Sequence, residues 1–270
     1  MDMDGNCKNN KLKKIVFSNN LLEIPSDFFQ GAQEVETYDT FTNLKEINIP
    51  NSVTNIGNSI FVPCTVLESI NVQETNKNYS SVDGVLFNKD KTKLVSYPRN
   101  KQSDTFLIPD SVTTIESDTF SYCARLTSIT IPNSVTIIGD YAFGNCTRLT
   151  KIDVQEANNN YSSTDGILYN KDKTKLIGYP IGKESLSFSI PNSVTTIEYA
   201  AFNGCTGLTS ITIPNSVTTI GNVAFGHWTS SQTINCRASS KPSGWSEGWN
   251  NYEWSNNSCK ATVNWGYTGE

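Results

Sequence analysis

Polar and apolar residues alternate in Ser128-Ile129-Thr130-Ile131, the period-two signature of a strand with one buried face. Ile129 and Ile131 are expected to point inward. Pro132 has no amide hydrogen to give to a strand ladder, so the strand ends there and Asn133-Ser134 turns the chain. Val135 to Ile138 is β-branched throughout and too short for a stable helix, which predicts a second brief strand closed by Gly139. Asp140 is an N-cap residue type, and Ala142, Phe143 and Cys146 follow at helical spacing, which predicts one turn of 3₁₀ or α-helix.

This unit recurs. Ile-Pro-x-Ser-Val-Thr places its proline at Pro50, Pro109, Pro132, Pro191 and Pro214, with spacings of 59, 23, 59 and 23 residues. The unit is therefore 23 residues long, and 36 more are inserted into every second gap. Tyr79 to Leu94 returns as Tyr161 to Leu176, and Cys64 and Cys123 return as Cys146 and Cys205, all at an offset of 82, so a whole block has been copied. Ile24-Pro25, ahead of Phe41 and Leu44, reads as a degenerate first turn.

One unit cannot bury Leu126, Ile129, Ile131, Val135, Ile138 and Phe143 by itself, whereas identical rungs stacked about 4.8 Å apart can. On that reading Phe143→Ala removes a core ring at a cost of about 3–5 kcal/mol. Within the insert, Val85-Leu86-Phe87, a turn over Asn88 to Thr92, and Leu94 to Tyr97 predict a β-hairpin. A strand at Thr105 to Ile108 leads into the next rung, and residues 161–190 repeat the arrangement.

The expected fold is thus a repeat solenoid, a right-handed superhelix, mainly β with short 3₁₀ or α turns and two β-hairpin spacers. Residues 1–20 read as an N-terminal extension, 21–228 as the solenoid and 229–270 as a Trp-rich C-terminal cap. A net charge of −5 and a pI near 5.1 lack the basic footprint of nucleic-acid binding, so no nucleic-acid partner is expected. No apolar run is long enough to cross a bilayer, so no membrane insertion is expected. Met1 to Cys7 lacks the basic start and apolar stretch of a secretory signal, which fits either a non-secreted protein or one whose leader has been removed.

The unit Leu-x-x-Ile-x-Ile-Pro-x-Ser-Val-x-x-Ile-Gly-x-x-Ala-Phe-x-x-Cys resembles the BspA-like leucine-rich repeats, over roughly residues 21 to 228. The spacer with Asp83-Gly84-Val85-Leu86-Phe87 and the tail with Trp245, Trp249 and Trp265-Gly266-Tyr267 resemble companions of that repeat. The resemblance implies a leucine-rich-repeat protein at a cell surface or secreted. It would engage a host or neighbouring-cell protein or glycan, extracellular matrix included, without enzymatic activity or cofactor.

Several residue types invite sharper readings. Cys64, Cys123, Cys146 and Cys205 occupy one repeat position each, with no Cys-x-x-Cys pair, which favours buried reduced thiols over a zinc site. Cys236 and Cys259 lie outside that ladder, and a disulfide or two thiols remain alternatives there. Trp228, Trp245, Trp249, Trp254 and Trp265 all fall near the C-terminus, where a cover over the last rung is favoured over a carbohydrate platform. Lys89, Lys91 and Lys93, with Lys171, Lys173 and Lys175, would form two basic knobs, although solvated turn lysines are commoner. His227, the single histidine, has no nucleophile or base beside it in a recognisable motif.

Alternation along the long strands nominates the outward contacts. They are Glu46 and Asn48, Ser69 and Asn71, Ser128 and Thr130, Lys151 and Asp153, and Ser210 and Thr212. The expected function is non-enzymatic binding or adhesion along this row, the alternative being an intracellular scaffold. An enzyme would need a paired acid and base or an activated nucleophile, and no motif marks one. The sequence leaves the oligomeric state open.

Overall fold

The computed structural model describes residues 12–29, 43–250 and 259–269. The chain forms a β-solenoid in which long and short strands fall into two kinds of parallel row. Its residues divide into two compact units, one holding residues up to 103 with 109–125 and 137–143, the other holding 104–108, 126–136 and 144 onward.

In the first unit the long strands Lys14–Val16, Glu46–Ile49 and Ser69–Val72 pair in parallel, with Ile47 opposite Ile70. The alternation places Ile47, Ile49 and Ile70 in the core with Leu44, Val53 and Phe61. In the second unit Thr105–Leu107, Ser128–Ile131 and Lys151–Val154 form one long row. Ser187–Ser189, Ser210–Ile213, Thr233–Cys236 and Thr262–Trp265 form another. Among the described residues Lys14–Val16, ahead of residue 21, already pairs in a long row, and the Trp-rich segment supplies Thr233–Cys236 and Thr262–Trp265 to another.

Each spacer contains the expected hairpin with one further strand ahead of it, which makes a three-stranded antiparallel meander. The first runs Tyr79–Val82, Val85–Asn88 and Lys93–Ser96. The last of these strands then pairs in parallel with Thr114–Ile115, and so enters the short row. The second spacer repeats this with Tyr161–Thr164, Ile167–Asn170 and Lys175–Gly178, the last pairing with Thr196–Ile197.

The spacers also seal the long rows. Ile70 N–H donates to Gly84 O at 2.9 Å and Val72 N–H to Ser81 Oγ at 2.9 Å, so the edge of Ser69–Val72 ends on the spacer. Ile152 and Val154 do the same with Gly166 O and Ser163 Oγ. This approach requires glycine twice over, because Gly84 has φ +74° and a Cβ there would lie 2.8 Å from Ser69 Cβ. A buried amide holds each spacer in place. Asn76 Nδ2 donates to Pro50 O and Val53 O, while its Oδ1 accepts from the Asn78 and Tyr79 amides. Asn158 makes the four equivalent bonds in the second unit.

Two expectations are corrected. Among the described residues the Phe-bearing segments are successive turns, with no helix. The reason is backbone handedness: Ser59, Asp118, Tyr141, Ala200 and Val223, one repeat position, have φ between 48° and 57°. A second left-handed position follows four residues later at Tyr122, Asn145, Gly204 and His227, and isolated left-handed residues interrupt a right-handed helix. Phe143 is half-buried rather than a full core residue, whereas Phe61, Phe120, Phe202 and Phe225 are buried. Its ring stacks on Phe120 with centroids 5.6 Å apart. A repeat position specifies where a side chain points, but the neighbouring rung decides how far it is covered.

Candidate binding face

Every outward residue nominated from the sequence lies on the solvent side of a long strand, half-buried or exposed. Strand register gathers them into three patches. In the first, Glu46 lies opposite Ser69 and Asn48 opposite Asn71, with Lys14 and Val16 completing the columns. Lys14 Nζ donates to Glu46 Oε1 at 2.8 Å, and this hydrogen bond holds the Glu46 carboxyl below the usual carboxylate range. Asn71 Nδ2 donates to the same oxygen at 3.1 Å. Beside Ser69 and Asn71 a polar recess of about 680 Å³ opens toward Asp83 and Lys101. Lys101 is clamped there, 2.8 Å from Asp83 Oδ2, and Lys183 repeats the clamp 2.9 Å from Asp165 Oδ2.

The second patch sets Ser128 opposite Lys151 and Thr130 opposite Asp153, with Thr105 and Leu107 on the adjoining strand. Lys151 and Asp153 are ion-paired at 2.8 Å. Leu107 stands in this polar surround with 64% of its area exposed. In the third patch Ser210 and Thr212 continue into Thr233 and the buried Asn235, then Thr262 and Asn264, a row without charge. Asn264 Nδ2 donates to Asn235 Oδ1 at 2.9 Å, extending the row by an amide pair.

Sequence reasoning did not nominate Val16, Leu107 or Asn264, because their strands carry degraded copies of the repeat. The alternation itself was the available signal: Thr105-Phe106-Leu107 places Phe106 inward and Leu107 outward.

The family model for the BspA type leucine rich repeat region matches six copies, over residues 34–103, 97–180 and 182–246. The chain belongs to this repeat family. Among solved structures, this BspA-type chain is similar to the pneumococcal vaccine antigen PcpA, with TM-score 0.55 and 22% identity, covering 92% of this chain and 60% of that one. A leucine-rich repeat protein from Eubacterium ventriosum matches with TM-score 0.50 and 26% identity, covering 85% of this chain and 61% of that one. The chain thus spans about three fifths of the length of these solved proteins. No curated protein matches it in sequence.

The remaining residues singled out by type are absorbed by the BspA-type scaffold. Cys64, Cys123, Cys146 and Cys205 are buried, and no disulfide joins any described cysteine, Cys236 and Cys259 included. Burial pushes the Cys64 and Cys236 thiols up to about 12 and raises Cys205 further still. Cys236 lies outside the column of repeat cysteines, as expected, but is inward on its long strand opposite Ile213.

Trp228, Trp245 and Trp249 are buried against the last rungs, and the Trp228 and Trp245 indoles donate to Phe202 O and Val217 O at 2.9 and 3.1 Å. Trp265 remains exposed, with its ring 5.6 Å from that of Trp245. Trp254, Phe41 and Met1 to Cys7 lie outside the described residues.

The lysine knobs are largely tied down. Lys89 donates to Glu74 O and Lys171 to Glu156 O, each at 3.0 Å, while Lys93 and Lys175 pair with Glu116 and Glu198. Among the described residues no group of three or more His, Cys, Asp or Glu is arranged to hold a metal, and no helix is long and apolar enough to cross a membrane. His227 occupies one of the left-handed turn positions, with φ 64°.

Proposed function

We propose that this repeat protein is a non-enzymatic adhesion or protein-binding module. It acts at a cell surface or after secretion, and engages a host or neighbouring-cell protein through the outward faces of its long-strand rows. The reading rests on one observation: Leu107, 64% exposed, stands among Thr105, Ser128, Thr130 and the paired Lys151 and Asp153. Scattered exposed apolar residues are ordinary, but Val16 occupies the equivalent outward position of its own strand and is 66% exposed. An exposed apolar side chain gains free energy when a partner removes it from water, and repeated contacts of this kind favour multivalent binding of an extended partner.

Surface plasmon resonance over immobilised extracellular-matrix proteins, alongside a glycan array, tests the reading with Leu107→Asp and Val16→Asp. Binding of the parent chain that weakens about tenfold or more in either variant, with folding unchanged, supports it. Equal binding by both variants would move the interface elsewhere.

A further inference from the structure

In the first unit the short row is broken. Glu23–Ile24 pairs with Asn55–Ile56, and there the ladder stops. It resumes at Lys93–Ser96, whose partners are the spacer strand Val85–Asn88 and Thr114–Ile115. Between the two segments lies a groove of about 500 Å³, within the ~300–1,000 Å³ range of small-molecule sites. One wall is the turn after Asn55–Ile56 and the other is Lys93 to Ser96 with Glu116 to Asp118.

Three observations define what would fit. The first concerns charge, which is already committed inside the groove. Lys93 lies 3.5 Å from Glu116, and the Asp118 carboxylate accepts from Ser59 Oγ at 2.6 Å and Ser121 Oγ at 2.8 Å. A charged ligand would have to displace these contacts.

The second concerns hydrogen-bonding capacity. Tyr79 sits on the groove floor, and its hydroxyl oxygen accepts from Ile56 N–H at 3.0 Å. Among the described residues nothing accepts the hydroxyl hydrogen. The copied residue differs, since Tyr161 spends its hydroxyl hydrogen on Thr136 O at 3.3 Å. Asn58 and Asn78 line the same space with exposed amides, each able to donate and accept. The third is an apolar strip formed by Val95 and the Tyr79 ring, with the buried Ile60 behind them.

We propose that this groove is a binding site for a neutral oligosaccharide, whose hydroxyls exchange hydrogen bonds with Tyr79, Asn58 and Asn78 while the C–H face of a ring lies on the apolar strip. It shares no residue with the outward faces.

Isothermal titration and saturation-transfer NMR on the full chain test it, with lactose, maltotriose and N,N′-diacetylchitobiose as probes. One probe is expected to saturate a single site. Asn58→Ala and Tyr79→Phe each weaken it about 2- to 10-fold, the loss expected for one hydrogen bond. Tyr79→Phe also removes the acceptor for Ile56 N–H, so Asn58→Ala, at an exposed position, is the variant that keeps the test clear of folding effects. Asn160→Ala, at the copied position of Asn78, leaves affinity unchanged, as does Leu107→Asp, which separates this site from the proposed macromolecular face. The proposal is overturned if no probe binds at millimolar concentration. It is equally overturned if binding survives both Asn58→Ala and a groove-filling Ser117→Trp, or if a sulfated hexasaccharide or acidic peptide occupies the groove instead.

Discussion

On their long strands the two copies of the 82-residue block differ on one side only. Inward, Ile47, Ile49, Ile70 and Val72 of the first copy return as Ile129, Ile131, Ile152 and Val154. Outward on the same strands, Glu46, Asn48, Ser69 and Asn71 return as Ser128, Thr130, Lys151 and Asp153, with no position retained. The parts that fasten the spacers are also repeated: Asn76 and Asn158, Gly84 and Gly166, and the lysine clamps at Lys101 and Lys183. Packing tolerates little change in a close-packed column, whereas a solvent-facing position answers only to what it touches. The difference separates the residues that hold the fold from those free to carry specificity.

That division is open to measurement. The largest effect is expected at Phe61, where Phe61→Ala should cost about 3–5 kcal/mol in denaturant unfolding. Its copy Phe143 is half-buried, so Phe143→Ala should cost nearer 2 kcal/mol. Equal losses would mean that the copies are equally covered. Asn158→Ala leaves four backbone groups without their partner, and should cost about 3 kcal/mol, matched by Asn76→Ala. A loss below about 1 kcal/mol at either asparagine would show that water replaces the amide.

Alkaline pH probes the thiol column without mutation. The ordinary thiol value is near 9.0, and burial raises it to about 12 for Cys64 and Cys236. The thiol contribution to stability is therefore flat below pH 9. Above it the unfolded chain gives up protons that the native thiols retain, and each buried thiol removes about 1.4 kcal/mol per pH unit until the native thiols ionise too. Unfolding free energy that stays constant from pH 8 to pH 10 would place these cysteines in water. The smallest effect belongs to the outward row: Leu107→Ser should shift stability by no more than about 0.5 kcal/mol. A larger loss would make Leu107 a packing residue and remove its claim as an anchor.

Much of this was legible in the residues. Ile-Pro-x-Ser-Val-Thr located the rungs, because proline ends a ladder and alternation chooses a face. The turns were less legible. Ala142, Phe143 and Cys146 have helical spacing, yet the chain passes through left-handed positions at Tyr141 and Asn145, and tyrosine does not announce such a conformation as glycine or asparagine would. The first strand of each spacer was missed because Tyr79-Ser80-Ser81-Val82 is mostly polar and gains its place by pairing rather than burial. The groove beside Tyr79 could not be read at all, since it arises where two rows fail to meet, and a gap in pairing has no motif.

The glycine carbonyls that receive Ile70 and Ile152 have a consequence for how such a molecule can change its length. Parallel pairing that ran unbroken would transmit any insertion as a register error along every later strand. Here a row comes to a stop on a spacer, so whole blocks can be gained or lost while the strands on either side keep their alignment.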